Sequence, residues 1–331
     1  MKQMHVTISR GGLLETSHRV RAVAVCYDAS HAERVAYTSG QALRSTWRSA
    51  GKHLQAWTSL SILGDPDLSA EEVATAVSSH SGEPGQVALV RRILSRFGLD
   101  ESMLRCGTES PIHRPSRDAL IRDGSPPLAV HNDCSGKHAL MLGACQHMGW
   151  SMDYLEAAHP LQQRILGDVS DWTAELPPTA IDGCGVPTFH LSVTAMARCW
   201  ARMATAVADG AFRGQPEGRM RRIGQAAMAH PALTSGIGRL DLAVAQRAQE
   251  PYFGKIGAQG IFCLALPDRR MGIAMKVVSG NEEALAVAIP SVMAQAAPGS
   301  LRSAEDWPWA DVRNVAGRKV GSRVATNANR V

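Results

Sequence analysis

Residues 260–278 read GIFCLALPDRRMGIAMKVV, and this stretch sets the fold class. Residues 260–266 and 271–278 are apolar, β-rich runs with the turn Pro267-Asp268-Arg269-Arg270 between them, which predicts a β-hairpin. Asn281-Glu282-Glu283 then starts a helix that runs to about Gln295. At the other end of the chain, residues 5–9, 20–27 and 34–37 are further β-rich runs, separated by Gly11-Gly12 and by a polar stretch over 28–33. Between these two regions the period becomes helical. Ser69-Ala70-Glu71-Glu72 has the form of a capping box and opens a short helix, and helical spacing recurs over 87–97, 138–148, 160–176, 191–208, 218–229 and 240–248. Strands at both ends around a helical middle predict an α+β fold, with an antiparallel sheet built from the N- and C-terminal segments and an inserted helical lobe. The expected division is a sheet lobe of 1–48 and 250–297, a mainly helical lobe of 49–249, and a C-terminal tail, 298–331, draped over the surface.

Composition narrows the function. The chain has 331 residues and a formal charge of +5, and its basic residues are scattered among acidic neighbours, so no nucleic-acid partner is expected. The opening MKQMHVTISRGG alternates polar with apolar residues and lacks the apolar run of a secretory signal. The most apolar late stretch, 284–297, is broken by Pro290 and Ser291 and is too short to span a bilayer. A soluble, cytoplasmic protein without a membrane partner is expected. Seven cysteines in no framework spacing read as reduced thiols, some of them potential metal ligands.

Lysine is rare here. Cationic positions are overwhelmingly arginine, and lysine stands only at Lys2, Lys52, Lys137, Lys255, Lys276 and Lys319. An ammonium can lose its proton in a suitable site, whereas guanidinium cannot, so lysines kept inside motifs point to an amine used as base or ligand. Lys52 closes Arg48-Ser49-Ala50-Gly51-Lys52, where Ser-x-x-Lys at a helix start can bring hydroxyl and amine together; a lysine so placed can activate a serine nucleophile. Ser81-Gly82-Glu83-Pro84 presents a second hydroxyl on a turn after His80. Cys134-Ser135-Gly136-Lys137-His138 offers a thiol and an amine, with Ser135-Gly136 letting the backbone turn tightly between them. Gly183-Cys184-Gly185, beside Asp182, offers another thiol. Two thiolates and a neutral amine leave a fourth tetrahedral position open on zinc. Lys255-Ile256-Gly257-Ala258-Gln259-Gly260 places a third lysine on a glycine-rich turn, while Lys276 reads as a core-edge residue whose head reaches water. Cys26, Cys106, Cys145, Cys199 and Cys263 read as core.

The strings RSAGK, HSGEP, HNDCSGKHALM, DGCGVPTF, GIGR and KIGAQG occur in that order, between RGGLLETSHRVRAV and VRNVAGRKVG. Together they resemble the type-III L-asparaginases of rhizobia and related bacteria over nearly the whole chain. That resemblance implies a fold like serine β-lactamases and glutaminases, a homodimer, and L-asparagine as the small-molecule substrate. It also implies two serine-lysine tandems, Ser49 with Lys52 and Ser81 with Lys255. By the same resemblance Cys134, Lys137 and Cys184 would hold one zinc ion per chain, and Arg48, His138 and Asp182 would line the substrate pocket. Three positions depart from the family pattern: His53, Gln259 and Ser235. A related serine amidohydrolase, glutaminase or β-lactamase-like, and a binding paralogue without turnover are the competing expectations.

Overall fold

The hairpin predicted at 260–278 forms, with strands Ile261–Leu266 and Met271–Val277 joined through a 3-10 turn at Pro267–Arg269. In the computed structural model, which describes residues 3–302 and 307–328, the chain divides into two units. The first comprises Met1–Ala50, Leu191–Ala208 and Gln246–Val331; the second comprises Gly51–His190 and Asp209–Ala245.

The first unit is built on an eight-stranded antiparallel sheet. Its strands are β1 (Gln3–Arg10), β2 (Leu13–Tyr27), β3 (Glu33–Ser39), β4 (Phe253–Gly257), β5 (Ile261–Leu266), β6 (Met271–Val277), β7 (Asp311–Arg313) and β8 (Lys319–Ala328). The order across the sheet is β7-β8-β1-β2-β6-β5-β4, with β3 also paired to β2. Strand β1 alternates, burying Met4, Val6 and Ile8, as a strand with one covered face should. The second half of β2, from Val20 on, is buried without interruption, the pattern of a strand covered on both faces. Helix Glu282–Ala296, capped by Asn281 Oδ1 accepting the Ala284 N–H at 2.7 Å, runs along β1, β2, β6 and β8.

Two expectations about organisation change. Segment 298–331 does not drape as a tail: β8 pairs with β1 from Gln3↔Ala328 to Arg10↔Gly321, so both chain ends meet in the sheet. The physical reason is the edge that β1 would otherwise leave open, a row of unsatisfied donors and acceptors that β8 takes up. Residues 303–306 and 329–331 of that segment, like Met1 and Lys2, lie outside the described residues. The segment Leu191–Ala208, expected in the helical lobe, belongs to the sheet unit, where Trp200 packs on Phe253 of β4 at 5.6 Å between ring centroids.

In the second unit the predicted capping box is complete, with Ser69 and Glu72 satisfying each other's backbone N–H groups. Its centre is helix Ser135–Met148, which is buried from Ser135 through Cys145 and packs against Lys52–Leu63, Ala70–Ala76, Pro84–Arg96 and Pro160–Thr173. A helix apolar on every side belongs inside a bundle. No helix among the described residues is long and apolar enough to cross a membrane.

Candidate active site

The N-terminal end of the buried Ser135–Met148 helix carries most of the second unit's chemistry. Asn132 shapes the approach, its Oδ1 accepting the Cys134 N–H at 2.9 Å and its Nδ2 donating to Cys106 O at 3.1 Å. Ser135 and Gly136, expected to form a tight turn, are instead the first two residues of the helix. Gly136 is needed for contact between helices, because a Cβ there would lie 2.3 Å from the Thr75 carbonyl oxygen. One helical turn then sets Cys134 and Lys137 on the same side.

Across from them, the turn 182–185 presents Cys184: Asp182 N–H donates to Val186 O and Gly185 N–H to Asp182 O, both at 2.9 Å. Lys137 Nζ donates to Cys184 Sγ at 3.1 Å, and the Cys134 thiol donates to the same sulfur. That hydrogen bond, outweighing burial and aided by the Lys137 charge, holds the Cys184 thiol well below the usual range. Cys134, as the donor to a thiolate and buried as well, is pushed up. Burial alone would pull the Lys137 amine down, but the charges of Cys184 and Cys134 outweigh it and raise it. The cluster thus favours the negative charge on Cys184, between the Cys134 thiol and the Lys137 amine.

His138 continues the network. The Tyr154 hydroxyl accepts the Arg105 N–H at 3.1 Å and shares a hydrogen bond with His138 Nδ1 at 2.8 Å. The buried His138 ring also hydrogen-bonds to Cys184, which helps to hold that thiol down. Two sulfur donors and one amine suit a soft or borderline cation. Among the described residues no group of three His, Cys, Asp or Glu side chains is placed to hold a metal, so a metal here would depend on lysine as the third donor.

Lys52 opens helix Lys52–Leu63 and is 1% exposed. Its Nζ donates to Ser78 O at 2.7 Å and Ser79 Oγ at 2.8 Å, and lies 3.9 Å from the Asp133 carboxylate. Next in the chain, His80 is fully buried; its Nδ1 accepts the Gly82 N–H at 3.1 Å, so Nε2 donates to Ser135 Oγ at 2.7 Å. Burial holds this imidazole down to about 4, keeping it neutral. His80 therefore ties the serine loop to the start of the central helix. Ser81 itself is 2% exposed, and its hydroxyl donates to Ser235 O at 3.1 Å. Gly236 beside it has φ 133°, and a Cβ there would sit 2.0 Å from Ser81 Oγ. The serine at 235 departs from the family pattern but leaves this backbone acceptor intact.

The helical unit thus holds Lys52, Ser81, Cys134, Lys137, His138, Asp182 and Cys184. The sheet unit holds Arg48, Ser49 and Lys255. Ser49 is half-buried in the 3-10 turn Arg48–Gly51, where Arg48 adopts a left-handed φ of 54°. Lys255 is fully buried in β4, with Nζ donating to Ile256 O at 3.2 Å. His53 is also fully buried, and Gln259 occupies a left-handed turn position at φ 65°. Sequence reasoning did not single out Ser78, Ser79, Asp133 or Asn132, and gave His80 no role. Only the Asx-turn potential of Asn132 was visible in the string itself.

No curated protein matches the chain. Among solved structures, Mglu in its native form in the presence of 4.3 M NaCl aligns at 14% identity and TM-score 0.42, covering 86% of this chain and 61% of that one. A protein provisionally assigned as a beta-lactamase from Bacteroides dorei DSM 17855 aligns at 13% identity and TM-score 0.40, over 78% of this chain and 84% of that one. Likeness at that level assigns no activity. The model of the family described as L-asparaginase II, however, matches residues 6–325, and the chain belongs to that amidohydrolase family.

Proposed function

We propose that the chain hydrolyses the side-chain amide of L-asparagine to L-aspartate and ammonia, as a zinc-containing, type-III L-asparaginase working through a serine acyl-enzyme. The observation that carries this reading is the meeting of two groups in the helical unit. Lys52 lies on the Ser79 hydroxyl and beside Asp133, and the thiol-amine cluster begins at the very next residue, Cys134. Family membership supports the amide chemistry.

In this reading Ser49 pairs with Lys52 and Ser81 with Lys255. A lysine takes the proton of the attacking hydroxyl, whose oxygen bonds to the amide carbon while backbone N–H groups stabilise the oxyanion. The same proton goes to the departing ammonia, and water then frees aspartate from the ester. Asp182 receives the substrate's ammonium; Arg48 and His138 complete the polar lining. Cys134, Lys137 and Cys184 would hold one zinc ion per chain, and two thiolates would offset its charge, so the ion would orient and mildly polarise substrate. The enzyme would act as a cytoplasmic homodimer.

The test is ammonia release from asparagine and from glutamine, run beside a chromogenic β-lactam, with and without a chelator. Asparagine turnover is expected, abolished separately by Ser49→Ala and Ser81→Ala in variants that keep the native circular dichroism spectrum. Full activity in either variant removes that serine from the mechanism. Turnover confined to glutamine or the β-lactam assigns a different serine amidohydrolase, and no turnover at all leaves a binding paralogue.

A further inference from the structure

We propose that the corner of the sheet around Arg21 and Lys276 is a binding site for a small, doubly charged oxyanion. Lys276 of β6 stands directly opposite Arg21 of β2, so the two cations share one face of adjacent strands. Both are held largely out of water, at 8% and 7% exposure. The lysine head does not reach solvent as a core-edge residue would.

Neither cation has an anionic partner. Arg21 Nη1 donates to Thr38 Oγ1 at 2.6 Å, Gly40 O at 2.6 Å and Ser39 O at 3.2 Å, all neutral acceptors, while its buried Nε finds none. Lys276 Nζ bonds only the Val277 carbonyl among the described contacts. Both cations are pulled below their usual range by burial, with no nearby carboxylate acting to raise them. Strapping the 38–40 bend accounts for Nη1, but not for the idle Nε or for a lysine kept opposite. A burial cost carried by two cations calls for a counter-charge.

A cavity of about 100 Å³ opens beside Arg21, one strand from Lys276, lined by Arg21, Arg19, Gln3, Gly40 and Gln41 among others and by no acidic residue. It is far smaller than the ~300–1,000 Å³ of pockets that enclose drug-sized ligands, so its occupant is small. Guanidinium prefers planar or tetrahedral oxyanions, and the Gln3 and Gln41 amides can add donors. Inorganic phosphate and a short dicarboxylate share that chemistry.

Calorimetric titration of the whole protein with phosphate, malonate and, at matched ionic strength, chloride tests the site. One saturable phosphate or malonate site per chain is expected, absent with chloride. The tighter of the two identifies the natural class. Lys276→Met, which removes a side chain bonded only to its own neighbour, should weaken binding about tenfold or more. It should also raise the melting temperature in anion-free buffer, by removing a buried cation. Arg21→Gln should weaken binding likewise, and Ser81→Ala should leave it unchanged. Binding no stronger than chloride, wild-type binding by Lys276→Met, or loss of binding in Ser81→Ala would each overturn the assignment.

Discussion

Helix Ser135–Met148 is buried from Ser135 through Cys145, and the two ends of that buried stretch are chemically opposite. At its start, Cys134 and Lys137 converge on Cys184, and the sulfur they surround becomes a thiolate. Ten residues on, burial alone acts on Cys145 and pushes its thiol up to about 11; Cys106, in the same unit, goes to about 12. The difference shows that burial by itself silences a thiol, and that an adjacent amine and a second thiol reverse the effect. It also gives the largest expected contrast. Replacing Cys134 and Cys184 together by serine should remove the roughly one zinc per chain proposed here, and with it ammonia release. Cys145→Ala should keep both and cost about 1 kcal/mol of stability, the scale of a small core truncation. Elemental analysis and a denaturant melt read both variants; equal metal loss in the two would erase the distinction between the ends.

The same helix carries a glycine near each end, and the two should not behave alike. A Cβ on Gly136 would meet the Thr75 carbonyl oxygen at 2.3 Å, which is backbone of a packed helix and has nowhere to go. A Cβ on Gly143 would meet the Phe97 ring at 2.4 Å, a side chain that can turn aside. Gly136→Ala is therefore expected to cost about 3 kcal/mol and Gly143→Ala about 1 kcal/mol, within the usual range for overpacked cores. Urea midpoints check the order. A reversal would mean that the Ala70–Ala76 helix yields more readily than an aromatic ring.

Much of this was legible in the residues. The hairpin at 260–278, the Ser69–Glu72 capping box and helix Gly218–Ala229 follow local rules of turn chemistry and periodicity, and local rules act over a few residues. Strand β8 did not show itself, because KVGSRVATNA is polar and only partly covered, so it lacks an apolar signature. At the site, the distinctive strings located the thiols and Lys137. The partners of Lys52 were out of reach, since Ser78 and Asp133 lie 26 and 81 positions away in the chain. Gly136 was misread for a different reason: tight turns and close helix contacts both select glycine, and only the fold tells them apart.

A pH-dependent contrast concerns the contact between the serine loop and the start of the helix. His80 is held neutral, with its folded value at about 4 against an ordinary 6.5. Between those values the unfolded chain binds a proton that the folded chain refuses. The stability this group contributes is therefore complete above about pH 6.5 and drains away as pH falls towards 4. The loss is on the order of 3 kcal/mol, since the shift spans about two and a half units. His80→Asn lacks the titrating ring, so the difference in unfolding free energy between it and wild type should shrink steadily from pH 7 to pH 4. No such sink exists near Cys145, where the thiol stays protonated throughout. Substituting Cys145 should accordingly shift the stability curve by a constant, and a slope in that curve would show that the apolar end titrates after all.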